Sequence, residues 1–126
     1  MKAKNLDDVL VYRKSVVAAN AVSALLRESS LRTDFELKDQ LSRSSSRTSA
    51  LIAEGFGQLT DRHTASYYAN ARGSALETVT HLEIALGRAH ITDEQREEIS
   101  DLYVQIVKML SRWINYLDRE NWKKRS

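Results

Sequence analysis

Two arginines, Arg43 and Arg47, lie four residues apart in a stretch of mostly small side chains that runs from Gln40 to Gln58. No acidic residue occurs between Asp39 and Glu54. If the stretch is helical, this spacing places both guanidinium groups on one side of the helix. Guanidinium groups donate charge-assisted hydrogen bonds to phosphate oxygens. The pair therefore indicates a nucleic-acid contact, while pairing with acids on neighbouring helices and simple solvation are the alternative interpretations.

Further basic residues that are candidates for phosphate contact occur later in the chain: Arg72, Lys123, Lys124 and Arg125. Trp122 precedes the last three, and an aromatic ring beside cations is suited to single-stranded nucleic acid. A solubilising, frayed chain end is the alternative interpretation of this tail.

The charge balance limits how large a nucleic-acid site we expect. The formal net charge is only +2. Residues 1–63 hold 10 basic and 8 acidic side chains, and residues 64–126 hold 9 of each. This excludes the strong basic excess of a dedicated nucleic-acid binder. Any such site must therefore be a local patch.

Two carboxylates, Glu54 and Glu77, lie next to small residues and are candidates for acid–base chemistry. In helical bundles such groups more often pair with an arginine, and Arg47 and Arg72 are available. We therefore predict structural ion pairs for Glu54 and Glu77, which would fix helix register.

Signatures of metal, phosphate-loop and nucleophilic sites are absent from the sequence. His81 follows Glu77 by four positions, whereas di-iron bundles use Glu-x-x-His, and no second copy of the motif occurs. The Gly55-x-Gly57 pair follows a predicted helix instead of a strand, and no local signature marks a catalytic serine. We expect no metal, no cofactor and no enzyme activity.

The elements that position these residues are predicted to be helices. The 126 residues include no proline, no cysteine and four glycines, which favours long helices over a turn-rich β-fold. Apolar spacing predicts helices at residues 6–29, 34–57, 61–90 and 92–121 within one domain, 1–126. The expected fold is all-α, an antiparallel up-down-up-down four-helix bundle.

Several residues suit the helix ends and contacts of this bundle. Asp34 and Thr60 (or Asp61) are predicted N-caps, and Thr92 with Gln95 forms a capping box. Gly73 falls inside the third helix, where glycine is unfavourable, so we expect it to allow close approach to the second helix.

The last helix has more apolar surface than one bundle face buries. The residues beside its predicted inner stripe that are candidates for a subunit interface are Val104, Val107, Leu110 and Ile114. A helix that is apolar on several sides is usually doubly buried. A wide core contact and a subunit interface are both open interpretations.

The compartment is predicted from absent features. No apolar run approaches the roughly 20 residues that a membrane span needs. The first ten residues carry no signal-peptide pattern, and the lack of cysteine fits a reducing compartment. We expect a cytoplasmic protein with no membrane association.

Several motifs together resemble one known family. They are Leu10-Val11-Tyr12-Arg13-Lys14, Gln40-Leu41-Ser42-Arg43, Ile52-Ala53-Glu54-Gly55-Phe56-Gly57, and Ala71-Arg72-Gly73-Ser74 with Glu77 and Leu82. On these residues the chain, from roughly residue 6 to 118, resembles the four-helix bundle proteins encoded in intervening sequences of bacterial 23S ribosomal RNA genes. Two positions depart from the family pattern, with Leu51 in place of asparagine and Gln58 in place of arginine.

The resemblance implies a homo-oligomer, and specifically a homopentamer, with no enzyme activity. The related accessory variability proteins of diversity-generating retroelements work with a reverse transcriptase and nucleic acid. We therefore expect a non-enzymatic adaptor or scaffold whose partners are copies of itself together with RNA, DNA or a nucleic-acid-processing protein. The alternative is a protein–protein assembly module with no nucleic-acid role.

Overall fold

The computed structural model describes residues 5–6 and 9–125, with the backbone alone at residue 125. Within this part of the chain the helices are α1 (Leu10–Glu28), α2 (Phe35–Phe56), α3 (Asp61–Gly87) and α4 (Asp93–Arg125), and a short 3-10 helix (Ser30–Thr33) links α1 to α2. Each α-helix packs against the next, and α1 also contacts α4. The all-α four-helix bundle predicted from the sequence is confirmed.

The helix bounds differ from the predicted ones mainly at three ends. Helix α1 begins at Leu10, after an N-cap residue, Val9, that makes no side-chain cap. The sequence predicts a start at residue 6, and residues 7 and 8 lie outside the described residues. Helix α3 ends at Gly87, before Ala89 adopts a φ of 63° and closes the turn into α4. Helix α4 extends to Arg125, so the basic tail is helical.

The predicted N-caps of the other helices are confirmed. Asp34 Oδ1 accepts from the Leu37 amide at 3.3 Å, and Thr60 Oγ1 accepts from the His63 amide at 3.2 Å. Thr92 Oγ1 accepts from the Gln95 amide at 3.1 Å while Gln95 Oε1 accepts from the Thr92 amide at 2.9 Å. This reciprocal pair is a capping box, which satisfies two amides that lack helical partners.

Helices α2 and α3 approach each other closely at Gly55. A β-carbon at this position would lie 2.8 Å from the Tyr68 ring and 2.9 Å from the Tyr67 β-carbon. The Gly55 carbonyl also accepts from Thr64 Oγ1 at 2.8 Å, across the turn between the helices. The close approach predicted at Gly73 is wrong, because a β-carbon built there meets no atom of a neighbouring helix within 4 Å.

Small polar side chains continue the α2–α3 contact toward the middle of the bundle. Thr78 Oγ1 donates to Ser44 Oγ at 2.8 Å, and Thr48 Oγ1 donates to the Ser44 carbonyl at 2.8 Å. All three residues are buried. Buried hydroxyls need such partners, and because the Thr78–Ser44 bond joins neighbouring helices it fixes the register of α2 against α3.

The core next to this contact is apolar. Its largest fully buried side chains include Leu41, Ile52, Leu82, Ile106 and Tyr103. Across the described residues, no helix has both the length and the apolar character needed to cross a membrane.

Gly55→Ala should destabilise the protein, because the new methyl group meets the Tyr67 and Tyr68 side chains at less than contact distance. Overpacking of this kind costs about 1–3 kcal/mol. Gly73→Ala is the matched control and should stabilise by about 0.5–1 kcal/mol, since its site is open and mid-helical. Urea unfolding of both variants measures this, and equal stability of Gly55→Ala and the parent would contradict the close-contact account.

Candidate nucleic-acid interface

The two arginines of α2 lie on its exposed surface. Arg43 Nε pairs with Asp39 Oδ2 at 3.1 Å, one helical turn earlier. Arg47 makes no ion pair or hydrogen bond with any described residue, and its charge is therefore available to a ligand. An exposed pair such as Arg43–Asp39 is weak, so Arg43 can exchange its partner at little cost.

Arg72 extends across the neighbouring helix α4. Its Nε donates to Ser111 Oγ at 2.9 Å, and Ser111 Oγ donates to the Val107 carbonyl at 2.9 Å. The side chain remains exposed. The guanidinium group is therefore oriented by α4 and still accessible to solvent.

The basic residues at the end of α4 are paired with acids. Lys124 Nζ donates to Asp61 Oδ2 at 2.6 Å, which joins the end of α4 to the first turn of α3. This bond raises the pKa of Lys124. Lys123 Nζ lies 3.4 Å from Glu120 Oε1. The side chain of Arg125 lies outside the described residues.

The predicted ion pairs of Glu54 and Glu77 with Arg47 and Arg72 are not formed in the described part of the chain. Both carboxylates are exposed, and Glu77 Oε2 lies 3.9 Å from His81 Nε2. Arg72 turns instead to Ser111. The pairing prediction is corrected for a simple reason: exposed carboxylates are solvated by water and need no buried partner.

The candidate interface residues of α4 differ in burial. Leu110 is fully buried in the subunit core, which corrects its assignment to a surface. Val107 and Ile114 are partly buried and pack against the core, while Val104 is 38% exposed. The wide core contact thus accounts for most of the extra apolar surface of α4.

The antiparallel topology divides the bundle into two halves. One half consists of residues 9–21, 46–76 and 105–124. Its helices are joined by the contacts Gly55–Thr64, Tyr68–Trp113 and Lys124–Asp61. The other half consists of residues 22–45 and 77–104, and its helices are joined by the contacts Ser44–Thr78 and Arg96–Glu83. We call these the basic half and the acidic half, because their charges differ in sign.

The basic half contains ten basic and four acidic residues. They are Arg13, Lys14, Arg47, Arg62, Arg72, Lys108, Arg112, Arg119, Lys123 and Lys124, against Glu54, Asp61, Asp118 and Glu120. The acidic half contains six basic and eleven acidic residues: Arg27, Arg32, Lys38, Arg43, Arg88 and Arg96, against Glu28, Asp34, Glu36, Asp39, Glu77, Glu83, Asp93, Glu94, Glu97, Glu98 and Asp101. Over these described residues, the formal charge is therefore +6 in the basic half and −5 in the acidic half. Only Arg43, of the predicted phosphate contacts within the described side chains, lies in the acidic half.

A cavity of ≈ 370 Å³ opens at the end of the basic half. Its walls are the α2–α3 turn, the first turns of α3 and the last turns of α4, and they include Phe56, Tyr68, Trp113 and Tyr116. Trp113 is edge-to-face with Tyr68 at 6.4 Å and with Tyr116 at 5.8 Å between ring centres. Sequence reasoning missed this cavity because its aromatic residues come from three separate helices.

A second cluster, at the opposite end, is a chain of serine, histidine and aspartate. Ser30 Oγ lies 2.7 Å from His90 Nδ1, and His90 Nε2 lies 2.9 Å from Asp34 Oδ2. Arg88 Nη1 donates to the same Asp34 oxygen at 2.9 Å. Asp34 also caps α2, so the cluster ties the α1–α2 link to the α3–α4 turn.

The cluster joins two connections of the bundle. The Arg88 bond, then the His90 bond, lower the pKa of Asp34. We assign the cluster to holding the two connections together.

The sequence matches one family model, the 23S rRNA-intervening sequence protein, over residues 7–112. The match spans most of the chain. The protein belongs to this family.

A solved structure supports the same family placement. It is a crystal structure of a protein with unknown function from the S23 ribosomal protein family of Bacteroides thetaiotaomicron, with 28% sequence identity and a TM-score of 0.75. The alignment covers 83% of the present chain and 98% of that one. Among curated proteins, none matches the chain. The comparisons thus establish family and fold.

Asp34→Asn should lower the melting temperature of this family member at neutral pH, because the neutral amide loses the ion pair to Arg88 and weakens the hydrogen bond with His90. The pKa of Asp34 is depressed in the folded state, so its stabilisation is complete above the unfolded value of about 3.9 and is lost as the pH falls through the folded value. The difference from the parent should therefore shrink at acidic pH.

Asp39→Asn is the control for this measurement, since it removes an exposed carboxylate that pairs with a single arginine. Thermal unfolding from pH 7 down to well below the unfolded value of about 3.9 compares the variants. An Asp34→Asn defect that persists unchanged at the acidic limit would contradict an electrostatic origin.

Proposed function

We propose that the protein is a non-enzymatic, homo-oligomeric adaptor that holds RNA or DNA on its basic half. The observation that supports this is the separation of charge, with ten basic residues against four acidic ones in that half. The net charge is only +2 because the two halves have opposite charges. The basic half attracts polyanions and the acidic half repels them. A phosphate backbone would therefore bind in a defined orientation.

The binding proposed here is electrostatic and multivalent. Basic side chains that replace condensed counterions gain affinity that depends on salt. A single subunit offers a modest patch, but several subunits in one assembly present it repeatedly, which raises the effective concentration for a long ligand. The oligomer is thus part of the proposed mechanism.

Self-association is supported by apolar side chains that the subunit leaves exposed. Leu10 and Val17 are each 59% exposed and lie seven residues apart, on one side of α1. Exposed apolar surface of this kind marks protein contacts. From the family resemblance we expect five subunits.

Neutralising two arginine or lysine charges in the basic half should weaken nucleic-acid binding. The variant is Arg47→Gln with Lys108→Gln, and the matched control is Arg27→Gln with Lys38→Gln in the acidic half. All four side chains are exposed, so both variants lose the same charge without a core change. Fluorescence anisotropy with a mixed-sequence oligonucleotide should show that the slope of log K against log salt falls by about 2 in the first variant only.

Two results would overturn the proposal. Equal losses in both double variants would mean that net charge alone decides binding, independent of the basic half. No binding to RNA or DNA at low salt would leave the protein–protein assembly module as the function, because that module needs no basic half.

Replacing Leu10 and Val17 by aspartate should dissociate the oligomer without unfolding the subunit, since both side chains are already exposed. Light scattering on a sizing column should give a mass of about five times 14.4 kDa for the parent and a smaller mass for the variant. Phe35→Asp with Leu59→Asp is the control, because Phe35 at the start of α2 and Leu59 in the α2–α3 turn are exposed apolar residues. A monomeric parent would contradict self-association.

A further inference from the structure

We propose that the aromatic cavity of the basic half receives one unpaired base, so that single-stranded nucleic acid is the ligand. This inference rests on the proposed function and names the class of nucleic acid that the same site takes. Charges alone bind duplex and single strand alike, whereas a cavity lined by rings can hold a base only when that base is unstacked.

The cavity has the rings that a base needs. Trp113 makes interplanar angles of 75° with Tyr68 and 83° with Tyr116, so neither tyrosine is stacked in parallel on the indole. Phe56 lies on the same wall, from the end of α2. Every base has a π-face, so a cavity of this type accepts bases with little sequence preference.

The polar groups around the rings suit the edges of bases. Asp61 and Glu120 are acceptors, as the amino groups of bases require, and Gln58 supplies both a donor and an acceptor. Two carboxylates would disfavour a phosphate at this point. We therefore place the base in the cavity and the phosphates on the surrounding cations.

The size and position of the cavity agree with this division. A volume of ≈ 370 Å³ lies at the lower end of the range for small-molecule sites, about 300–1,000 Å³, which suits one base. Lys124 lines the cavity, where its Nζ donates to Asp61, and Arg62 is an exposed cation next to Asp61 on α3. A strand whose phosphates follow these cations would present its bases to the rings.

The test uses Trp113 as an internal reporter. The chain has two tryptophans, so Trp122→Phe leaves Trp113 alone. The probes are a short single-stranded oligonucleotide of mixed sequence and an abasic strand with the same number of phosphates. The normal strand should quench Trp113 emission and bind about 5- to 100-fold more tightly than the abasic strand. A duplex of the same sequence should bind without quenching.

Tyr116→Ala tests the cavity itself, and Phe35→Ala is the control, an exposed aromatic residue in the acidic half. The first change should reduce the preference for the normal strand over the abasic strand, while the second should leave it unchanged. Far-ultraviolet circular dichroism and urea unfolding verify that both variants remain folded.

The outcomes separate the two proposals. If both strands bind with equal affinity and Trp113 is not quenched, the base cavity is overturned while the adaptor function stands. If neither strand binds at low salt, the adaptor function fails, and the cavity proposal fails with it. Preference for the normal strand that Tyr116→Ala leaves intact would also overturn the assignment to this cavity.

Discussion

The close contact between α2 and α3 at Gly55 is the constraint on which the rest of the structure depends. Without a side chain at Gly55, Tyr68 packs directly on the α2 backbone, and its ring reaches Trp113 of α4. Three helices are thereby joined at one end of the bundle. The hydroxyl contact between Ser44 and Thr78 fixes the same two helices near their middle, so the register is set at two points. The aromatic cavity is a direct consequence of this arrangement.

The antiparallel topology then determines the electrostatics. Helix α4 begins with Asp93 and Glu94 and ends with Lys123 and Lys124, a charge order that complements the helix dipole. Because α4 runs against α1 and α3, its basic end lies beside the start of α1 and the start of α3. Basic residues from separate parts of the sequence therefore lie together at one end of the bundle, and acidic residues lie together at the other. The chain as a whole is nearly neutral, but its two ends have opposite charge.

The two ends of the bundle differ in the polar contacts that hold their helices together. At the acidic end, Asp34 accepts hydrogen bonds from Arg88 and His90 and also caps α2, so the connections are tied together by polar contacts. At the basic end, Lys124 and Asp61 form the principal polar link, and the space between the helices is left as a cavity. The connections at the acidic end are therefore held together by charged groups, whereas the basic end keeps an open cavity beside the Gly55 contact.

The sequence by itself determined the family, the helical class and the helix N-caps at Asp34, Thr60 and Thr92, because these depend on residues close together in the chain. It could not determine which glycine makes the close contact, since Gly55 and Gly73 differ only in what faces them. Nor could it show that Leu110 belongs to the core.

The separation of charge, the aromatic cavity and the Ser30–His90–Asp34 chain were decided by tertiary structure alone. Each of these features joins residues from different helices or from separate connections, and the ends of the Ser30–His90 contact are 60 residues apart. Periodicity and local motifs report on neighbours within about two helical turns. Only the antiparallel packing of the helices brings the remaining residues within contact distance.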